Sequence, residues 1–157
     1  MSKGIIIFAS NNGFIDYIKI ACASAGFARK NLSGFDEICL ITDEKSISKK
    51  ETHELVEKYF DRVIFQDAID KETNIRLFKD GGTGSSDYAP FVNKTRSDVY
   101  SLSPYDENLV IDCDYFIMSN TLDQVWGSES DFMINCQYRD VAGRHGGNVS
   151  YIDDFSI

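Results

Sequence analysis

Residues 4–10, GIIIFAS, form an apolar run with neither helical nor alternating period, closed by the turn signal NNG. Such a run reads as a strand buried on both faces, the kind found inside a parallel sheet. The period then changes. Ile15, Ile18, Ala21, Cys22 and Ala25 recur at helical spacing, and Arg29 and Lys30 stand where a helix C-terminus favours cations, so a helix is predicted over 14–31. EICLITDE (37–44) is a second strand, ending in the polar Thr42 and Asp43. Residues 46–60 predict a second helix: Ser48 and Glu51 have capping-box spacing, and Leu55, Val56, Tyr59 and Phe60 form an apolar face. RVIFQD (62–67) is a third short strand. This β-α-β-α-β order predicts the α/β class, a Rossmann-like, doubly wound and mostly parallel sheet.

The middle of the chain is looser. KDGGTGSSDYAP (79–90) is rich in Gly and Ser and reads as a mobile loop; without the Gly-Lys-Ser/Thr ending of a P-loop it is not a phosphate cradle. Pro90 suits the first turn of a helix reaching to about Ser103, with Phe91, Val99 and Leu102 facing inward. SPYDEN (103–108) turns the chain into a strand, LVID. NTLDQVW (120–126) predicts a short helix and DFMINCQY (131–138) another strand. AGRHGGN (142–148) reads as a loop, and VSYIDDFSI (149–157) as a last strand cut short.

Composition narrows the class. The 157 residues are 43% hydrophobic and 26% charged, as expected of one globular domain spanning 1–157. No apolar run reaches the ~18 residues of a membrane span. GIIIFA is too short for a secretory signal, so Met1 reads as the start of a cytoplasmic protein. A net charge of −9 argues against a nucleic-acid partner, whose phosphates need clustered Lys and Arg. A small anion is compatible only if a metal or a few focused cations offset the repulsion. The four cysteines make no CxxC pair and read as buried, reduced thiols. His53 and His145 are too few for a His-rich metal site.

Asp112 and Asp114 close an apolar strand, where carboxylates need a reason to be. One reading is two solvated acids in a turn. The other is a hard divalent cation: Mg and Mn sites use one or two carboxylates together with substrate phosphates, and ligand crevices form at strand ends in α/β sheets. Arg96 reads, by spacing alone, as a helix-surface cation pairing with an acid such as Asp98 or Asp87.

The flanks carry more. NKTRSDVYSLSPYDENLVIDCDYFIMSNTLDQVW contains, in order, the basic Arg96, Tyr100 with Leu102, Tyr105, the strand Leu109, Val110, Ile111, the acids Asp112 and Asp114, then Asn120, Leu122, Asp123, Val125 and Trp126. This segment resembles the glycogenin-like glycosyltransferases, a nucleotide-sugar family of the A-type fold. The likeness runs over roughly 4–67 and 90–136. It implies retaining transfer of a sugar from a UDP-sugar or similar nucleotide donor to an acceptor such as a glycan, a protein or a lipid-linked sugar. It implies Mn2+ (or Mg2+) on Asp112 and Asp114 and the diphosphate on Arg96, which stands 16 positions before Asp112. It further implies a donor pocket at Phe8, Ala9, Ser10, Thr42, Asp43 and Cys113, with Tyr17 stacking on the base. A homo-oligomer is compatible with it.

The resemblance is incomplete. That family continues beyond the Asp-x-Asp with an acceptor-side segment and a late metal-binding His. Here HGGN (145–148) matches only faintly and no His follows His145. The chain therefore reads as the N-terminal donor-binding part of such an enzyme, missing or shortened at its C-terminus. A non-catalytic nucleotide-binding or structural module of the same fold is the alternative. A phosphohydrolase with Asp112 as nucleophile is a third reading, disfavoured by Phe116 and by the long segment before the motif.

Overall fold

A computed structural model describes residues 1–11, 14–66 and 96–133, and the backbone of 75–79 and 86–90. The chain divides into two units, 1–69 with 93–128 and 70–92 with 129–157.

The first unit is built on four parallel strands: β1 (Lys3–Phe8), β2 (Glu37–Thr42), β3 (Arg62–Phe65) and β6 (Glu107–Asp112). Their order is β3-β2-β1-β6, so β1 lies inside the sheet with β2 on one side and β6 on the other. β1 and β2 are apolar on both faces because both faces are covered. Ile5, Ile7, Ile38 and Leu40 point to one side, where they pack on α1 (Tyr17–Asn31) and α2 (Lys50–Tyr59) through Ile18, Ala21 and Val56. Ile6, Cys39 and Ile41 point to the other, against Tyr105 and the short α3 (Val99–Leu102). Each fully buried Ile or Leu contributes about 1.5–3 kcal/mol of burial. The predicted α/β sheet with helices on both faces is present.

Gly4 has a specific reason to lack a side chain. A Cβ there would lie 2.0 Å from the Tyr105 ring, which fills the space over β1. Cys22, Cys39 and Cys113 are buried free thiols, as expected; Cys136 lies outside the described residues.

Several boundaries differ from expectation. α1 begins at Tyr17, leaving Ile15 outside the helix and 44% exposed. The Ser48–Glu51 capping box does not form. Asp43 accepts hydrogen bonds from the Ser46 N–H and Oγ instead, making a 3₁₀ turn over Glu44–Ile47 and delaying α2 to Lys50. Ser48 Oγ donates to the Lys45 carbonyl. Of the helix expected from Pro90 to about Ser103, the described part is a 3₁₀ turn at 96–98 and α3; Phe91 and the rest of 91–95 lie outside the described residues. Pro90 instead ends β5 (Ser86–Pro90), which pairs antiparallel with β4 (Ile75–Lys79) in the second unit, so the tail of the supposed loop is a strand. NTLDQVW forms a 3₁₀ helix, Asn120–Val125. Residues 131–133 carry no strand, and the remaining expected elements, from 134 onward, lie outside the described residues.

Candidate functional site

The two helices that connect β1 to β2 and β2 to β3 share one face of the sheet, and α3 lies on the other. The direction of winding therefore reverses at β1, between β2 and β6. In open α/β sheets, ligands bind at the carboxyl ends of the strands flanking such a reversal. Here those ends are Phe8 and Asp112, which are register partners, beside Ile41, the β2 partner of Phe8.

Asp112 is the last residue of β6, and the Tyr115 N–H donates to its carbonyl at 3.0 Å to close a turn over 112–115. The two acids thus end a strand, in a turn, and both are exposed. The turn is tied down from behind. Buried Ser24 of α1 donates through Oγ to the Tyr115 carbonyl at 2.6 Å, and Asn31 Nδ2 donates to the Ile117 carbonyl at 2.8 Å. Phe27 meets the edge of Phe116 at 5.4 Å between ring centroids.

Asp112 shares its face of the sheet with Phe8, the α3 face. From there it meets Arg96, in the turn leading into α3: Arg96 Nη1 donates to Asp112 Oδ1 as a salt bridge. Burial pulls the Arg96 pKa down, while Cys113 and the carboxylate of Asp114 push it up, so both acids act on one guanidinium. Asp98, one of the partners expected for Arg96, accepts instead from Gln66 Nε2 at 2.8 Å. The side chain of Asp87, the other expected partner, lies outside the described residues.

The other expected donor residues fall at the same end of the sheet but in different states. Ala9 is buried and donates its N–H to the Ile41 carbonyl at 3.1 Å; Ser10 is half-buried. Tyr17 is half-buried and packs on the α1–α2 core. Thr42 is 2% exposed, and its hydroxyl has no hydrogen-bond partner among the described residues. Asp43 spends both carboxylate oxygens on Ser46. Cys113 points into the core; burial and then Asp114 raise its thiol pKa, against a smaller lowering by Arg96.

Asn11 is a residue the sequence reading passed over as part of a turn. Its N–H donates to Ser46 Oγ at 2.7 Å, and its Oδ1 accepts from the Ile18 N–H at 3.1 Å. Asp16 Oδ1 accepts from the Lys19 N–H at 3.1 Å. Two of the free N–H groups that open α1 are therefore already bonded, one of them to a carboxylate. A helix N-terminus is a phosphate site when its N–H groups are open and uncontested. This one offers a diphosphate an acid.

Among the described residues, no three His, Cys, Asp or Glu side chains gather as a metal-binding group. Asp112 and Asp114 nonetheless fit a hard cation in chemistry: two accessible carboxylates, one already holding a cationic side chain, suit a metal completed by water and phosphate oxygens. Among the described residues no helix is long and apolar enough to cross a membrane. No protein-family model matches the chain, and no curated protein matches it.

Proposed function

We propose that this chain binds a nucleoside-diphosphate sugar, a UDP-sugar by the resemblance described above, at the carboxyl ends of β1 and β6, as the donor-binding part of a metal-dependent glycosyltransferase. The observation that carries the reading is the meeting of Arg96 with Asp112 at the reversal of winding, across 16 residues of chain. A carboxylate pair and a permanent cation at one point are the two ingredients for gripping a metal-bound diphosphate.

The blocked N-terminus of α1 supports a metal-centred grip over the dinucleotide mode of similar sheets, in which the helix itself holds the pyrophosphate. When bound, Mn2+ or Mg2+ supplies charge neutralisation for the departing nucleoside diphosphate. Asp112 and Asp114 would hold that ion, and Arg96 would take a phosphate oxygen. Half-buried Ser10 offers a polar contact to the nucleoside and half-buried Tyr17 a ring, whereas the Thr42 hydroxyl, sealed from solvent, would reach a ligand only if the pocket opened on binding. An acceptor hydroxyl oxygen forms the new bond to the anomeric carbon as the bond from that carbon to the β-phosphate oxygen breaks; the nucleoside diphosphate leaves with the electron pair and takes up the hydroxyl proton. The buried free thiols Cys22, Cys39 and Cys113 support a cytoplasmic setting.

A second reading has its own support: the Arg96–Asp112 salt bridge is complete without a ligand, as in a structural ion pair of a non-catalytic module. Calorimetric titration of UDP and UDP-sugars, with Mn2+ or EDTA, against wild type and an Asp112→Asn, Asp114→Asn double variant decides between them. Metal-dependent binding lost in the variant, with sugar release or transfer, supports the enzyme. The same binding without turnover supports the module. No binding by folded wild type overturns the donor site.

A further inference from the structure

Arg96 occupies the Asp112 carboxylate that a divalent cation would need. The guanidinium is permanently charged and bonded to Asp112, whose side chain is 52% exposed against 32% for Arg96. Asp112 is thus open to an ion arriving from water, while the guanidinium is the more enclosed partner. Asp98, two residues further along the same turn, is occupied by Gln66.

Formal charges give the exchange a direction. Asp112, Asp114 and Arg96 together leave one negative charge. Adding a divalent cation turns this into one positive charge, with two cations beside one carboxylate pair. The arrangement is relieved when Arg96 leaves Asp112 and an anion arrives to meet it. A half-enclosed guanidinium without a counter-ion is unfavourable, which favours a polyanionic partner such as a phosphate group.

We propose that Arg96 is an internal counter-ion which a divalent metal displaces from Asp112, and that the displaced guanidinium then binds the phosphate of the incoming ligand. Metal and phosphate ligand consequently bind cooperatively, each strengthening the other by the same factor. This inference rests on the donor-site reading above and adds a mechanism by which the free site masks its own phosphate-binding cation.

The test is titration of Mn2+ alone into the full chain, wild type and Arg96→Gln, followed by pyrophosphate with and without Mn2+. Removing the competing cation makes Mn2+ bind about three- to tenfold tighter in Arg96→Gln. The factor by which Mn2+ enhances pyrophosphate binding shrinks toward one in the variant. Equal or weaker Mn2+ binding by a folded variant overturns the exchange and leaves the metal site standing. Absence of Mn2+ binding in both proteins overturns the exchange and the donor-site reading together. A second readout needs only wild-type protein in the titration, the variant serving to assign the signal. The Arg96 Nε–H resonance shifts on addition of Mg2+ and shifts again with pyrophosphate, and a resonance that Mg2+ leaves in place overturns the proposal.

Discussion

Trp126 lies against the bare Cα of Gly34: a Cβ added there would come within 2.3 Å of the indole. Beside it, Asp123 accepts from the Gly34 N–H at 2.9 Å, the Ser33 N–H at 3.1 Å and the Ser33 hydroxyl. The second half of the motif read from the sequence, Asp123 to Trp126, thus clamps the α1–β2 connection and stands away from the acids' end of the strands. Its work in this chain is to fix where the segment after Asp112 goes.

The Asp123 clamp is pH-dependent. Hydrogen bonds from Gly34 first, and then from Ser33, hold its carboxyl below the usual range. A carboxyl with a depressed folded pKa stabilises the fold above its unfolded value, near pH 4, and loses that contribution as pH falls through the folded value. Asp123→Asn is expected to lower the Tm at pH 7, and the gap to wild type is expected to narrow as melts are taken below pH 4. A gap that persists unchanged in acid would contradict the assignment.

Gly4→Ala tests the packing of Tyr105 on β1. The added methyl meets ring carbons at 2.0 and 2.1 Å in a strand paired on both edges, so the ring must move. Overpacking of this kind costs about 1–3 kcal/mol. Urea unfolding should show a lower midpoint at unchanged slope.

Thr42→Val separates stability from binding. The Thr42 hydroxyl is buried without a partner among the described residues, so an isosteric methyl in its place leaves stability unchanged or raises it by up to about 1 kcal/mol. Weaker nucleotide binding in that equally stable variant would assign the hydroxyl to the ligand. Unchanged affinity would remove Thr42 from the pocket.

Arg96→Ala is expected to weaken UDP binding in saturating Mn2+ by about 10- to 100-fold, the worth of a charge-assisted hydrogen bond to phosphate. Uridine, which has no phosphate, should bind wild type and variant alike. Equal losses for both ligands would point to a collapsed site.

The core thiols should be inert in the native protein. Burial pushes the Cys22 and Cys39 thiols up to about 11, so roughly one in a thousand is thiolate at pH 8. Mass-mapped alkylation is expected to leave both unlabelled until denaturant is added.

The sheet was legible in the chain because GIIIF and ICLI are apolar without a break, as strands covered on both sides are; LVI reads the same way, although Val110 on β6 is 42% exposed. Where competing local bonds decide, the sequence misled. Ser48 and Glu51 have capping-box spacing, but Asp43 reaches Ser46 first and winds a 3₁₀ turn ahead of the helix. Pro90 suits a helix start equally well as a strand end, and pairing with Ile75 settled it. At the candidate site, Asp112 was singled out by its place after an apolar strand and Arg96 by the family resemblance, yet their mutual contact was not expected, because Asp98 was the nearer acid along the chain. The role of Asn11 had no signal beyond an Asn in a turn, and Asp123 and Trp126 reveal theirs only once Gly34 is beside them.

The place of β1 between β2 and β6 also sets an order of assembly. β2 follows β1 after a single helix, whereas β6 begins about 65 residues after β2 ends. The β1–β2 pair can close early, as the more local contact, while the opposite edge of β1 stays unpaired until Glu107–Asp112 has been made. At ribosomal rates of about 5–20 residues per second, that interval lasts several seconds. Because the acids arrive with the strand that closes the gap, a nascent chain holding only the first three strands has a nucleus but lacks Asp112 and Asp114. The proposed site is therefore complete only once β6 is in place, and the outer edge of β1 is open to unwanted strand pairing until then.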